Sequence, residues 1–198
     1  FDSGTGTDRI LIMGFSNFDT TSGDRQVSSA SYGGQPLTKI TNAVADNATS
    51  NGRAELWYLI NPPSGTNTVS FNFGGTITNS DRFVVIFNGV DQVSPINDSD
   101  NHTTNSGTQD RITLTTTSDG EMLVDVNNGD AGGQTLGAGQ TSLMDLSGST
   151  GRGSYKLATS PTNYNMDMNT VSSDNYAHAA ISIKPSSPIN ISVAWLTA

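Results

Sequence analysis

The sequence contains no cysteine. Disulfides and thiolate metal sites are excluded, so no covalent cross-link within the chain helps to hold the fold. Lysine is scarce, with only Lys39, Lys156 and Lys184, and arginine adds six positions without a basic cluster. The formal net charge is -9 at pH 7. Phosphate recognition needs clustered Lys and Arg, so nucleic acid is excluded as a partner. An anionic membrane surface is disfavoured for the same reason. No apolar run approaches the roughly 18 residues that a membrane-spanning helix requires, so membrane insertion by a helix is not expected.

Charged residues make up 14% of the chain and hydrophobic residues 33%, both low. Disordered chains combine low hydrophobicity with high charge, and this one lacks the second ingredient. Its apolar residues are also periodic. Val69, Phe71 and Phe73 alternate, as do Ala54, Leu56, Tyr58 and Ile60, then Met122, Val124 and Val126, and Ala177, Ala179, Ile181 and Ile183. A period of two is the mark of half-buried strands. Two runs, Arg9–Phe15 and Arg82–Asn88, are apolar almost throughout and read as central strands covered on both faces. Gly33-Gly34, the Asn61–Gly65 run with its two prolines, Gly74-Gly75 and Ser118-Asp119-Gly120 punctuate these segments as turns. The polar stretch Asp91–Gln109 reads as a long loop, and no segment has a 3.6-residue period. The expectation is an all-β chain with little helix: a two-sheet antiparallel β-sandwich, jelly-roll-like.

The chain divides into a sandwich domain, residues 1–184, and an appended segment, 185–198. Lys184-Pro185-Ser186-Ser187-Pro188 is a two-proline hinge. After it, Ile189, Ile191, Val193 and Trp195 occupy alternate positions. A one-sidedly apolar strand at a chain end either closes its own sheet or enters a neighbour's. In the second case these four residues are a polymer contact, the partner is another copy of the chain, and the head-to-tail product is a fibre.

Catalytic chemistry is thinly supplied. The only histidines are His102, in the expected polar loop, and His178, at the strand phase opposite Ala177 and Ala179, and hence expected at the surface or in a groove. The only glutamates are Glu55 and Glu121, both at strand positions. No nucleophile–base pairing is evident, and the chain reads as non-catalytic. In Asn97-Asp98-Ser99-Asp100-Asn101, Asn97, Asp98 and Asp100 offer oxygens, the two aspartates at alternate positions, and the stretch reads either as a calcium loop or as a solvated acidic loop, without the glycine and distal glutamate of an EF-hand. No other cofactor than calcium is suggested by the sequence. Sequons begin at Asn47, Asn97, Asn101 and Asn190, the first three in expected loops. Trp57 and Tyr58 point to opposite faces of one strand, so one of them is available as a sugar-stacking platform. That makes glycans the alternative partner and a carbohydrate-binding module the alternative reading.

Several blocks carry a resemblance. Asp8-Arg-Ile-Leu-Ile-Met-Gly14, Tyr32-Gly-Gly-x-x-Leu-Thr38, the block from Leu56-Trp-Tyr-Leu to Asn-Thr-Val69, Gly89-Val-Asp-Gln-x-x-Pro-Ile96 and Ala180-Ile-Ser-Ile-Lys-Pro185 are similar to a β-sandwich module of secreted bacterial and phage-like surface proteins. The resemblance implies an adhesive or structural building block and carries no catalytic residues. The chain departs from that module at both ends: a full strand is missing before Arg9, and one is added after Pro188. In that respect it looks like a donor-strand pilin. The start at Phe1 reads as a mature secreted chain after removal of a leader, or as an excised fragment. An extracellular, cell-surface location follows from either the resemblance or the composition.

Overall fold

A computed structural model describes residues 1–20, 24–129, 134–145, 151–186 and 192–196; the side chains of 145, 170–172 and 192–196 are outside the description. Among the described residues there is no helix, and therefore none long and apolar enough to cross a membrane. The strands are β1 (Ile10–Phe18), β2 (Val27–Tyr32), β3 (Gln35–Pro36), β4 (Thr38–Asn47), β5 (Gly52–Ile60), β6 (Val69–Phe73), β7 (Asn79–Asn88), β8 (Ile96–Thr115), β9 (Met122–Gly129), β10 (Thr135–Leu136), β11 (Thr141–Asp145), β12 (Gly151–Leu157), β13 (Asn163–Ile183) and β14 (Ser192–Leu196). They form a five-stranded sheet β14-β7-β1-β5-β4, a six-stranded sheet β10-β13-β9-β12-β11 with β8 paired to β13, and a three-stranded sheet β3-β2-β6. Every pairing is antiparallel.

The all-β sandwich is as expected, but a third sheet was not. The two large sheets enclose the main core, where Ile10, Ile12, Leu56, Val85 and Phe87 meet Val124, Val126, Ala179 and Ile181. The small sheet covers the other face of the five-stranded sheet. There Leu11, Met13, Phe15, Trp57 and Ile86 meet Val27, Ala30 and Tyr32. This explains why β1 is apolar at consecutive positions: its even-numbered residues serve one core and its odd-numbered residues the other. Glu55, fully buried, ties the two layers together. It accepts from the backbone N–H of Val27 at 2.7 Å, from Arg53 Nε at 3.1 Å and from Trp57 Nε1 at 3.3 Å, and pairs with Lys39 Nζ at 3.2 Å.

Phe83 shows how tightly the large sheets meet. It lies opposite Gly14 in the β1–β7 ladder. A Cβ added at Gly14 would stand 2.3 Å from the Phe83 ring, and one at Gly153 of β12 would stand 2.5 Å from it. The ring fills a slot between two glycines, one from each sheet.

The stretch expected as a loop, Asp91–Gln109, contributes 14 of the 20 residues of the long strand β8, from Ile96 on. β8 pairs with β13 from Ile96↔Ile183 to Thr115↔Asn163, with register shifts around Asp174. The ribbon bends sharply where Ser106 takes a positive φ of 64°. Its distal half then lies back on its proximal half: Asn97 Nδ2 donates to Thr115 O at 2.9 Å and Thr115 N donates to Asp98 Oδ2 at 2.7 Å. Ile112, Leu114 and Met166 thereby cover Leu123 and Ala180 in a third apolar cluster. The stretch looked like a loop because its polar side chains are matched to backbone groups rather than to an apolar face.

Candidate functional site

Three places collect the features expected to carry function: the C-terminal seam, a buried imidazole–carboxylate cluster and a groove beside β6.

At the seam, Val90 bridges Pro185 and the Ser186 N–H donates to Gly89 O at 2.8 Å. Pro185 and Ser186 of the expected hinge are thus fastened just past the end of β7. Beyond them β14 lies antiparallel on β7, with Ser192 opposite Asn88, Val193 opposite Phe87, Trp195 opposite Val85 and Leu196 opposite Val84. Among the described residues β7 is the only ladder partner of β14, and β14 forms the edge of its sheet. Of the four expected polymer-contact residues, Val193 and Trp195 sit opposite residues of the main core; Ile189 and Ile191 lie outside the described residues, as does Asn190.

The second place was not foreseen. His178 was expected at a surface or groove, and this is corrected: it is 0% exposed. The bent ribbon carries Asp110 onto it. His178 Nδ1 lies 3.4 Å from Asp110 Oδ2 and Nε2 lies 3.2 Å from Asp125 Oδ2. Asp110 also meets His102 Nδ1, and Asp125 accepts from Ser154 Oγ at 2.6 Å and from Gln140 Nε2 at 3.2 Å. Burial opposes charge on His178, but the bonds to Asp110 and Asp125 outweigh it and raise its pKa to about 9. Burial likewise opposes charge on Asp110, yet His178 and His102 hold its carboxyl below the ordinary carboxylate value. The result is a cation clamped between two buried anions. Both imidazoles are committed to carboxylates, and Ser154 is bonded to Asp125 rather than to a base. This arrangement fastens the ribbon to the sheet. One sequence signal pointed to it: Asp110 is in phase with Ile112 and Leu114, a charged residue at an inward position.

The remaining expected residues are distributed differently. Asn97, Asp98 and Asp100 are on β8, not on a loop, which is a correction. Asp98 accepts from Thr115 N and Ser99 N, and Asp100 from Asn101 N at 2.8 Å. An extended strand sets Asp98 and Asp100 about 7 Å apart on one face, and each already accepts a backbone N–H. Among the described residues no group of three or more His, Cys, Asp or Glu could hold a metal. Trp57 is also corrected: it is buried under the small sheet, with Lys39 Nζ 4.8 Å from its ring centroid. Tyr58 is half-buried against the main core. Trp57 therefore presents no open stacking face. Asn47, expected in a glycan-bearing loop, is buried at the end of β4. Its Nδ2 donates to Thr104 O, Asn105 Oδ1 and Tyr176 O, and its Oδ1 accepts from Thr49 N. A glycan there would displace all of these bonds. Asn101 is exposed, with Nδ2 on Asn42 O, and Asn97 is half-buried. Glu121 caps the 116–121 turn by accepting from Thr117 N at 2.7 Å and Ser118 N at 3.0 Å.

The third place is a groove of about 460 Å³ running beside β6, with Phe1, Met13, Val69, Phe71 and Val84 among its lining residues and Arg82 at its rim. Arg82 is exposed, its guanidinium 4.7 Å from the centroid of the Phe71 ring. No family model, no curated protein and no solved structure matches the chain.

Proposed function

We propose that this chain is a non-catalytic structural subunit of an extracellular assembly, joined to its neighbours through its C-terminal strand. The observation that carries the reading is the placement of β14: a strand at a sheet edge, held among the described residues by one ladder to β7. A strand with a single partner and a proline-bearing connection is the element most readily exchanged between copies. Exchange keeps every β14–β7 hydrogen bond and changes only which chain supplies the strand. Because donor and acceptor are different surfaces, the contact is heterologous and runs on as a filament. The commitment of both histidines to buried carboxylates supports a structural role over catalysis. The acidic composition and the resemblance to secreted surface modules support an extracellular setting.

The test compares the full chain with one ending at Ser186, and with full-length Trp195→Arg, by light scattering and negative-stain electron microscopy across a concentration series. Filaments or concentration-dependent oligomers in the full chain alone are the expected result. Monodisperse monomers in all three samples at every concentration overturn the reading.

A further inference from the structure

We infer that the groove beside β6 binds a small monoanionic amphiphile, a single carboxylate on an apolar body, with the carboxylate seated on Arg82. The inference does not rest on the assembly proposed above, which concerns the ladder edge of β7.

The groove has a preformed apolar floor. Met13 is buried on the face of β1 that meets the small sheet, Val84 packs against the same cluster from β7, and Val69 and Phe71 form the wall from β6. Phe71 is set edge-on to Phe15 and to Phe73, each with ring centroids 5.5 Å away, so the wall is in place before anything enters. The volume of about 460 Å³ falls among small-molecule sites, which span roughly 300–1,000 Å³ and pair an apolar lining with a few polar groups.

The polar groups stand at the rim. Arg82 is the one charged side chain in the lining. Its guanidinium lies 4.7 Å from the centroid of the Phe71 ring and its Nη1 donates to Ser80 O at 3.2 Å. Those two contacts hold it over the groove wall. Among the described residues no carboxylate pairs with it, and Nε and Nη2 have no protein acceptor. That leaves a fork of donors of the shape a carboxylate takes. The edge of β6 adds backbone donors. Asn67 bonds to Phe1 through both its N–H, at 2.9 Å, and its C=O, at 3.1 Å, whereas Thr68 O accepts from Gly33 N at 3.0 Å on the opposite side. Strand alternation therefore turns the N–H groups of Val69 and Phe71 away from β2 and toward the open side, where β6 has no ladder partner among the described residues.

These features select the ligand by charge. A cationic amphiphile would meet the guanidinium head-on. A neutral one would leave the donors of Arg82 to water and gain nothing from them. A phosphate dianion would find one guanidinium in a chain of net charge -9, too little to offset that field. A monoanionic carboxylate satisfies the fork and the outward N–H groups, and its apolar body covers Met13, Val69 and Val84.

The probe is octanoate, with octylamine as its cationic counterpart. Equilibrium dialysis is run on the full chain and on Arg82→Gln and Arg82→Glu, and methyl NMR of Met13, Val69 and Val84 locates the ligand. Arg82 is exposed, so both variants keep the fold. Saturable octanoate binding that shifts the three methyl signals is expected. It should weaken about two- to fivefold in Arg82→Gln, as for an exposed ion pair, and Arg82→Glu should prefer octylamine. The net charge by itself attracts octylamine, so a preference of the native chain for octanoate has to come from a local cation. Octanoate that leaves the three methyl signals in place, or that binds all three proteins alike, overturns the inference. So does octylamine that binds the native chain as well as octanoate does.

Discussion

His178→Gln is the sharpest perturbation of this fold. The variant keeps a polar side chain at a fully buried site but removes the cation between Asp110 and Asp125, leaving two buried carboxylates to face each other. Removing one partner of a buried pair costs on the order of 3–5 kcal/mol, a large part of the 5–15 kcal/mol typical of a domain. The same cluster sets a pH dependence. The His178 pKa is raised from 6.5 to about 9, so its stabilisation is complete below pH 6.5 and is lost as pH rises to about 9. At about 1.4 kcal/mol per unit the loss is roughly 3 kcal/mol. Asp110 is shifted the other way: its contribution is present above the ordinary carboxylate value of 3.8 and is lost as pH falls through its folded value. The cluster therefore stabilises most between about pH 4 and 6.5.

The assay is urea unfolding of wild type and variant at pH 6 and pH 9.5. The wild-type free energy is expected to drop by roughly 3 kcal/mol between the two, and the variant to be weaker at pH 6 with most of that drop gone. Subtracting the curves removes every other titrating group. Should His178→Gln fail to fold, the imidazole titration of the wild-type chain, followed by NMR, still decides the matter. A His178 ring that titrates at or below 6.5, or a stability difference between the two proteins that does not change with pH, would refute the reasoning.

Other consequences follow from particular contacts. Tyr164 receives hydrogen bonds from Ser160 and Thr159 that lower its pKa to about 8, so absorbance at 295 nm should show one tyrosine ionising near that pH, and Tyr164→Phe should abolish the step. Glu55→Gln removes the anion that Lys39 and Arg53 share and is expected to cost about 3 kcal/mol, with a shift in Trp57 fluorescence as the small sheet loosens; an unchanged spectrum and midpoint would contradict the role given to Glu55. Gly14→Ala and Gly153→Ala both crowd the Phe83 ring, each costing about 1–3 kcal/mol; because they press on one ring, the double variant should depart from additivity in a double-mutant cycle. In a glycosylating host, Asn47 should remain unmodified in the folded chain, detectable by peptide mass mapping, since its amide is spent inside the protein.

What was legible in the sequence follows from how each residue satisfies its surroundings. β5 and β6 were readable because one face of each is apolar at alternate positions, and β1 and β7 because both faces are covered. β8 was unreadable for a physical reason: Asn97, Asp98 and Asn101 bond to backbone groups, so the strand carries no apolar alternation over its first half. The third sheet was also hidden. Its strands look like ordinary sandwich strands, and nothing local shows that β2 and β6 lie over β1 rather than beside it. Trp57 could be placed on one face of β5, but whether that face was open or roofed depended on this packing. His178 was misread at the same level. Its phase, opposite Ala177 and Ala179, was correct, and that face is indeed the outer face of its sheet. It is buried because residues some seventy positions earlier fold back over it, and Asp110 arrives with them.

The buried cluster and the C-terminal seam thus solve one problem at opposite edges of the sandwich. An antiparallel sheet exposes unpaired backbone at its rim, and such rims recruit other strands. At the β8 rim the chain bends its own ribbon over the sheet and fastens it with a buried charge pair, which makes that edge costly to open. At the β7 rim the cover is a separate strand on a proline-bearing connection, with β7 its one ladder partner among the described residues. If assembly used edges indiscriminately, His178→Gln, by loosening the ribbon, would promote polymers as readily as changes at the C-terminal strand. The asymmetry of the two rims argues the reverse: His178→Gln should lower stability without changing oligomeric state in the native range, whereas Trp195→Arg should change oligomeric state with little effect on the ribbon. Light scattering and urea midpoints on the two variants, measured together, separate these outcomes, and polymers nucleated by the histidine variant alone would place the joint at the wrong rim.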